Sequence, residues 1–143
     1  MVDVHRIVLP DPPMGSKCFF IERKGIYVLE AGEGTLRSLA CTHVGAGMFM
    51  VYDGVCDERG FFPDEDKLKD PYAEPYWTAN GRPLFGNTPQ VMGFWAVDAG
   101  FIHGLTIKAD GGIPGTPVFV SVSWLRYKSK SQNGAKPVLI QGS

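Results

Sequence analysis

Short apolar runs alternate with turn-forming residues along most of this chain. Between residues 17 and 54 there are four such runs, each closed by glycine, aspartate or a Lys-Gly pair: "KCFFIER", "IYVLEA", "TLRSLACTHV" and "AGMFMVYDG". Runs of β-branched and aromatic residues bounded in this way predict strands joined by tight turns. In residues 35–44 strict alternation predicts that Leu36 and Leu39 point to opposite faces of one strand.

The run in "HVGAGMFMVYDG" (43–54) is apolar on both faces of the predicted strand. Met48, Met50 and Tyr52 would share one face, and Phe49 and Val51 the other. A strand of this kind is expected at the centre of a fold or beneath a neighbouring chain.

Residues 57–90 interrupt the pattern with acids, five prolines and several aromatic residues, without a period of two or 3.6. They predict a long loop whose aromatic side chains pack on the domain or on a neighbour. Strand signals resume in 90–100, 101–112 and 116–128. About eight strands without a sustained helix predict an all-β antiparallel β-sandwich of jelly-roll-like type.

The length of 143 residues suits one domain. We expect an extended N-terminal arm (1–16), a β-sandwich (17–128) that contains the long loop, and a C-terminal tail (129–143). Both ends include apolar stretches with proline, "IVLPDPPMG" and "KPVLIQGS", which suits segments that dock on something.

Composition narrows the classes of function. A net charge of −1 and a pI near 6.3, without a basic stripe, argue against nucleic acid as a partner. No apolar run approaches the roughly 20 residues of a membrane-spanning helix. The N-terminus lacks the pattern of a signal peptide, so we expect synthesis in a cytoplasm. The three cysteines form no CxxC pair, and buried free thiols explain them.

Few residues in the sequence suggest a catalytic site. Asp53 precedes a glycine at a strand end, which is typical of a turn and favours turn closure over a catalytic acid. The histidines His5, His43 and His103 are far apart in sequence and match no metal-binding motif, so we expect no cofactor and no metal. A small metal-dependent enzyme of cupin type, built on His43 and His103, is a distant alternative.

A cluster of aromatic residues near positions 76 and 77 is compatible with a binding function. Tyr76 and Trp77 could stack on sugar rings, with Asn80 and Arg82 close by in sequence as polar partners. A carbohydrate-binding or receptor-binding β-module is therefore the main alternative to the function considered next.

Three stretches together resemble small β-sandwich structural proteins of tailed-phage virions. They are "GTLRSLACTHVGAGMFMVYDG" (34–54), "GFIHGLTIKADGG" (100–112) and "PVFVSVSW" (117–124). The resemblance implies a non-enzymatic component of the virion: a head decoration or cement protein, or a tail or adaptor-associated piece. Its partners would be the major capsid protein or other virion subunits. The resemblance would also place the carbohydrate-binding or receptor-binding alternative in a phage tail.

A cement protein acts through its interfaces, and the apolar ends and the long loop supply the candidates. We expect a symmetric homo-oligomer, with a trimer favoured. The candidate interface residues are Ile7, Val8, Leu9, Pro10, Phe61, Phe62, Tyr72, Tyr76, Trp77, Val138, Leu139 and Ile140.

Overall fold

A computed structural model describes residues 3–41, 48–63, 77–78, 81–89, 93–110 and 119–127. In these ranges all regular structure is β. The strands are β1 (Val4–Arg6), β2 (Lys17–Ile21), β3 (Gly25–Ala31), β4 (Gly34–Cys41), β5 (Met48–Asp53), β6 (Phe62–Pro63), β7 (Trp77–Thr78), β8 (Arg82–Pro89), β9 (Gly93–Phe101), β10 (Gly104–Asp110) and β11 (Val120–Arg126).

Two large sheets form the fold. The five-stranded sheet has the order β1-β3-β10-β5-β8, and the four-stranded sheet has the order β2-β11-β4-β9. Strands β6 and β7 make a separate two-stranded ribbon. Neighbouring strands are antiparallel except for β1, which runs parallel to β3. The prediction of an all-β sandwich with mainly antiparallel strands is confirmed.

The main core lies between the two sheets and receives side chains from both. Burial of each large apolar side chain contributes roughly 1.5–3 kcal/mol to folding. The largest members of this core are Trp124, Phe49, Phe101, Ile21, Leu29, Leu36, Leu39, Leu105, Ile107 and Val51.

Strand β5 is covered on both faces from Phe49 onwards, as its sequence predicts, whereas Met48 at its start is 41% exposed. Phe49 and Val51 are 0% exposed in the main core. Tyr52 points to the opposite face and is buried in a second cluster with Phe62, while Met50 packs against that cluster. Strand β5 lies between β10 and β8, so the cover comes from the chain itself.

The prediction of strict alternation in β4 is wrong. Leu36 and Leu39 both lie in the main core, because the register with the neighbouring strands shifts at Arg37. A β-bulge adds a residue to a strand and so returns the next side chain to the same face. Opposite this point β9 contains Asp98, which has a left-handed φ of 52°.

The predicted long loop is also wrong in part, because residues 82–89 form β8 and pair with β5. Two prolines and a glycine within "RPLFGNTP" conceal the strand pattern. Proline is tolerated there because β8 is an edge strand, whose outer side needs no ladder hydrogen bond.

The N-terminal arm is extended and docked on its own domain. Val4–Arg6 forms β1 beside β3, and the Ile7 N–H donates a hydrogen bond of 2.9 Å to the Val28 carbonyl. The predicted C-terminal tail (129–143) lies outside the described residues.

Candidate functional site

A β-bulge in β3 brings a carboxylate into the sandwich. Leu105 pairs with Glu30 whereas Thr106 pairs with Val28, so Leu29 is an extra residue and Glu30 faces inward beside it. Oε1 of Glu30 accepts hydrogen bonds of 3.0 Å from Lys17 Nζ and from Trp124 Nε1. A buried carboxylate is tolerated when it is paired and hydrogen-bonded in this way.

This cluster continues to the N-terminal arm through Asp11. One Asp11 oxygen lies 3.3 Å from Lys17 Nζ, and the other lies 3.2 Å from the Arg126 guanidinium. The hydrogen bond from Lys17 lowers the pKa of Asp11, and the nearby positive charges add to that effect. Arg126 Nε also lies 3.6 Å from Glu30, so cations surround both carboxylates. The cluster therefore ties the arm to both sheets and offers no open reactive group.

Asp53 has a structural role that differs from closing its own turn. Its buried carboxylate accepts backbone hydrogen bonds from Ile102 at 3.0 Å, from His103 at 2.8 Å and from Gly104 at 3.4 Å. Arg82 Nη1 lies 3.9 Å from the same group. Asp53 thus holds the turn between β9 and β10, far away in sequence.

The histidines do not converge. His5 stacks on Tyr27 with ring centroids 4.9 Å apart, whereas the His103 carbonyl accepts a hydrogen bond from Gly32 N–H. Tyr27 lies in β3 and Gly32 directly follows that strand, and a separation of five residues in an extended chain corresponds to about 17 Å. His43 lies outside the described residues. Within the described ranges no three potential metal ligands come together.

A shallow cavity of about 310 Å³ lies beside β1. Asp3, His5, Arg6 and Glu58 line it, together with Val4. Arg6 already donates a hydrogen bond of 2.8 Å to the Cys56 carbonyl. The mixed charges of its walls do not select one class of ligand.

The outer face of the five-stranded sheet is covered by the chain that follows β5. Cys56 and Phe62 are buried there against Val28 and Tyr52. Lys108 closes this cover, since its Nζ donates a hydrogen bond of 2.9 Å to the Gly60 carbonyl and lies 5.1 Å from the centroid of the Phe62 ring. Burial lowers the pKa of Lys108 and raises that of the Cys56 thiol.

Hydrogen bonds to Asp57 stabilise the turn within this cover. Asp57 accepts hydrogen bonds from the backbone N–H groups of Arg59 and Phe61 at 2.9 and 3.0 Å. Burial opposes ionisation of Asp57, but these hydrogen bonds and the Arg59 side chain lower its pKa on balance. The Arg59 guanidinium also lies 4.6 Å from the centroid of the Phe61 ring.

The outer face of the four-stranded sheet is different, and we call it the bare face. Cross-strand pairing aligns two rows of outward side chains on it: Phe20–Ser121–Ala40–Phe94 and Cys18–Ser123–Ser38–Ala96. None of these eight residues is charged, although 20% of the chain is. Phe94 is 68% exposed and Phe20 is 44% exposed. Phe20 also stacks on Phe119, with centroids 5.6 Å apart.

This arrangement is suited to contact with a protein surface. Three strand spacings place Phe20 and Phe94 about 14 Å apart, with small half-buried side chains between them. Removal of Phe94 from water by a partner would contribute roughly 2 kcal/mol. Exposed aromatic side chains among small, uncharged neighbours are typical of interaction sites.

Comparisons of the chain with protein-family models, with curated proteins and with solved structures found no match. The described residues include no helix that is long and apolar enough to span a membrane. The bare face and the docked arm are therefore the main guides to function.

The structure distributes the candidate interface residues over different environments. Ile7 and Leu9 are half-buried against the main core of the same chain, whereas Val8 and Pro10 are exposed. Phe62 is buried within the chain, and Phe61 contacts Arg59. Trp77 is 39% exposed. The remaining candidates, like Asn80 of the carbohydrate alternative, lie outside the described residues: Tyr72, Tyr76, Val138, Leu139 and Ile140.

The grouping of Phe20 and Phe94 on one surface was not predicted from the sequence. In the sequence, each of the two is typical of a strand. Only the pairing of β2, β11, β4 and β9 brings them into one row. The lack of charge at the outward positions of "KCFFI" and "VSVSW" is the signal that could have indicated the bare face.

Proposed function

We propose that this chain is a non-enzymatic structural protein of a tailed-phage virion, which decorates the head by docking its bare face on capsid subunits. The observation that carries this proposal is the pair of uncharged rows on the outer face of the four-stranded sheet, with Phe20 and Phe94 exposed in one of them. The major capsid protein would be the partner. Three copies around a threefold axis of the head are the arrangement we favour.

The strand order supports a jelly roll as part of the proposal. Numbered one to eight in chain order, the long strands are β2, β3, β4, β5, β8, β9, β10 and β11. The four-stranded sheet then has the order 1-8-3-6, and the other sheet has the order 2-7-4-5 beside β1. Two interlocked Greek keys give these orders, and this topology occurs in viral capsid domains, lectins and cupins.

The apolar side chains between the two sheets favour a function at the surface over a cupin-like site between the sheets. The side chains between the sheets form a continuous apolar cluster that includes Trp124 and Phe49. His5 and His103, the two described histidines, are exposed outside that cluster. The Glu30 carboxylate, which does face inward, is fully engaged by cations and by an indole N–H.

Co-sedimentation tests the proposed docking. The full chain, a Phe20→Ser/Phe94→Ser variant and an Ile102→Ser control would be mixed with undecorated heads of the phage that encodes the chain. Ile102 is an exposed apolar residue in the turn between β9 and β10, away from the bare face. We expect the wild type and the control to sediment with heads and the double variant to remain in solution. Equal sedimentation of all three, or of none, would contradict the proposal.

Carbohydrate binding remains the second candidate because Trp77 exposes part of its ring and Arg82 is exposed on the next strand. A glycan-array screen of the wild type and of Trp77→Ala separates the two functions. Glycan binding that disappears in Trp77→Ala and persists in Phe20→Ser/Phe94→Ser would favour a receptor-binding module.

A further inference from the structure

The docked arm (residues 3–11) lies along the edge of the five-stranded sheet. Without the arm, that edge could pair with another strand. Among the strands that the structure describes, β1 has one neighbour, β3. The Asp3 carbonyl accepts from Ile26 N–H and the Ile7 N–H donates to the Val28 carbonyl, both at 2.9 Å. If the arm departs, these groups of β3 become unpaired, and an unpaired edge readily accepts another strand.

Side chains along the path of the arm, in both sheets, also provide sites that match it. Val4 packs against the outer cluster, whereas Ile7 and Leu9 pack against the main core. Asp11 then pairs with Lys17 and Arg126. This succession of apolar and ionic sites is the complement of the arm itself, so the best occupant is the arm of this chain or of a second copy.

The segment that joins the arm to β2 favours an extended chain. This hinge consists of residues 12–16, and Pro12, Pro13, Met14 and Gly15 are all exposed. Asp11 and Pro12 both precede a proline, which biases them towards extended conformations. The bend that returns the arm to its own sheet uses Gly15 in the left-handed region, at a φ of 83°. If the bend opened, the five hinge residues would span up to about 17 Å.

The geometry points to exchange of the docked arm between two copies of the chain. In the exchanged dimer the hinge straightens, and residues 3–11 of each copy occupy the β3 edge of the other. The arm makes the same contacts in both forms, so the hinge and the protein concentration set the balance between them. Arm exchange does not depend on the proposed virion function, because it needs no partner other than the chain itself.

A mixing experiment with two singly substituted chains tests the exchange. In a Cys18→Ser background, one chain carries Asp11→Cys and the other carries Arg126→Cys, and a short bismaleimide joins the two positions. The remaining thiols, Cys41 and Cys56, are buried. After refolding of the mixture at high concentration, we expect a covalent heterodimer. A chain with Glu58→Cys in place of Asp11→Cys is the collision control, because Glu58 is exposed outside the arm.

Two further variants make the result decisive. Asp11→Cys/Arg126→Cys in one chain should crosslink internally at low concentration, which shows that the reagent spans the two positions. Gly15→Val strains the closed bend through its left-handed φ, which valine disfavours. The substitution causes no clash, because no atom lies within 4 Å of an added Cβ at this glycine. It should raise the exchanged fraction about tenfold. If internal crosslinking succeeds while heterodimer stays at the level of the Glu58→Cys control in both hinge backgrounds, exchange does not occur.

Discussion

The two sheets of this sandwich have opposite outer faces. On the five-stranded sheet, Phe62 and Cys56 are buried by the chain's own return, and Lys108 closes the cover. On the four-stranded sheet, Phe94 and Phe20 are exposed among small uncharged side chains. Both sheets have apolar residues on their outer side, but only one of them is covered within the described chain.

The difference separates residues that stabilise the fold from residues that are available for function. An aromatic ring that is buried by its own chain contributes to the free energy of unfolding. An aromatic ring that remains in water contributes little until a partner covers it. Phe62 and Phe94 are chemically identical, so a comparison of the two measures that distinction directly.

The largest expected effect is a contrast in stability between Phe62→Ala and Phe94→Ala. Loss of the buried Phe62 ring leaves a cavity against Tyr52 and should lower the free energy of unfolding by about 3–5 kcal/mol. Phe94→Ala should remain within about 0.5 kcal/mol of the wild type. Urea unfolding followed by tryptophan fluorescence measures both. Similar losses in the two variants would remove the distinction between the covered face and the bare face.

Asp53 stands at the end of the covered sheet, and its loss should be the next largest effect. Asp53→Ala leaves the N–H groups of Ile102 and His103 without their buried acceptor, which should cost about 3 kcal/mol of stability. Asp53→Asn retains one acceptor oxygen and should cost about half as much. Urea midpoints at constant m-value measure the two variants. A loss below 0.5 kcal/mol in Asp53→Ala would show that the turn does not depend on this carboxylate.

A smaller effect is expected at the edge strand that borders the bare face. Asp98 adopts a left-handed conformation at the bulge of β9. Asp98→Gly should raise the free energy of unfolding by about 0.5 kcal/mol, whereas Asp98→Val should lower it by about 1–2 kcal/mol. Thermal unfolding of the two variants provides the measurement. The opposite order would mean that the carboxylate, and not the backbone, determines the bulge.

The smallest effect concerns pH and the docked arm. Lys17 lowers the pKa of Asp11. The ion pairs of Asp11 therefore contribute fully to the stability of the docked arm above the ordinary pKa of 3.8. The contribution is lost as the pH falls through the lower pKa of the folded state. Hydrogen exchange at the Ile7 amide, corrected for the intrinsic pH dependence, should therefore accelerate below about pH 4. Asp11→Asn should lack this acceleration while keeping the remaining contacts of the arm.

Sequence reasoning predicted the class of fold because strand signals depend on local pattern. The covering of β5 on both faces was read directly from "MFMVYD". Alternation failed at Arg37, because bulges are set by pairing between distant strands. Strand β8 was missed because an edge strand tolerates prolines that local rules assign to a loop.

The candidate site was harder to predict than the fold. The arm and the aromatic residues of the loop were identified as apolar segments, but which of them the chain buries itself depends on tertiary packing, as Ile7 and Phe62 show. The bare face depends on the register of four strands, of which β2 and β9 are distant in sequence. The buried pair Lys17–Glu30 has no motif, since a bulge creates it.

The accessibility of Cys18 provides the most direct test of the central claim, that the bare face is the docking surface. Cys18 is exposed on that face, whereas Cys41 and Cys56 are buried and serve as internal references. The rate of maleimide labelling at Cys18 would be measured for the free chain and for the chain bound to heads. We predict rapid labelling of the free chain and, on binding, a fall towards the rates of the two buried thiols. An unchanged rate at Cys18 in chains that are bound to heads would contradict the account.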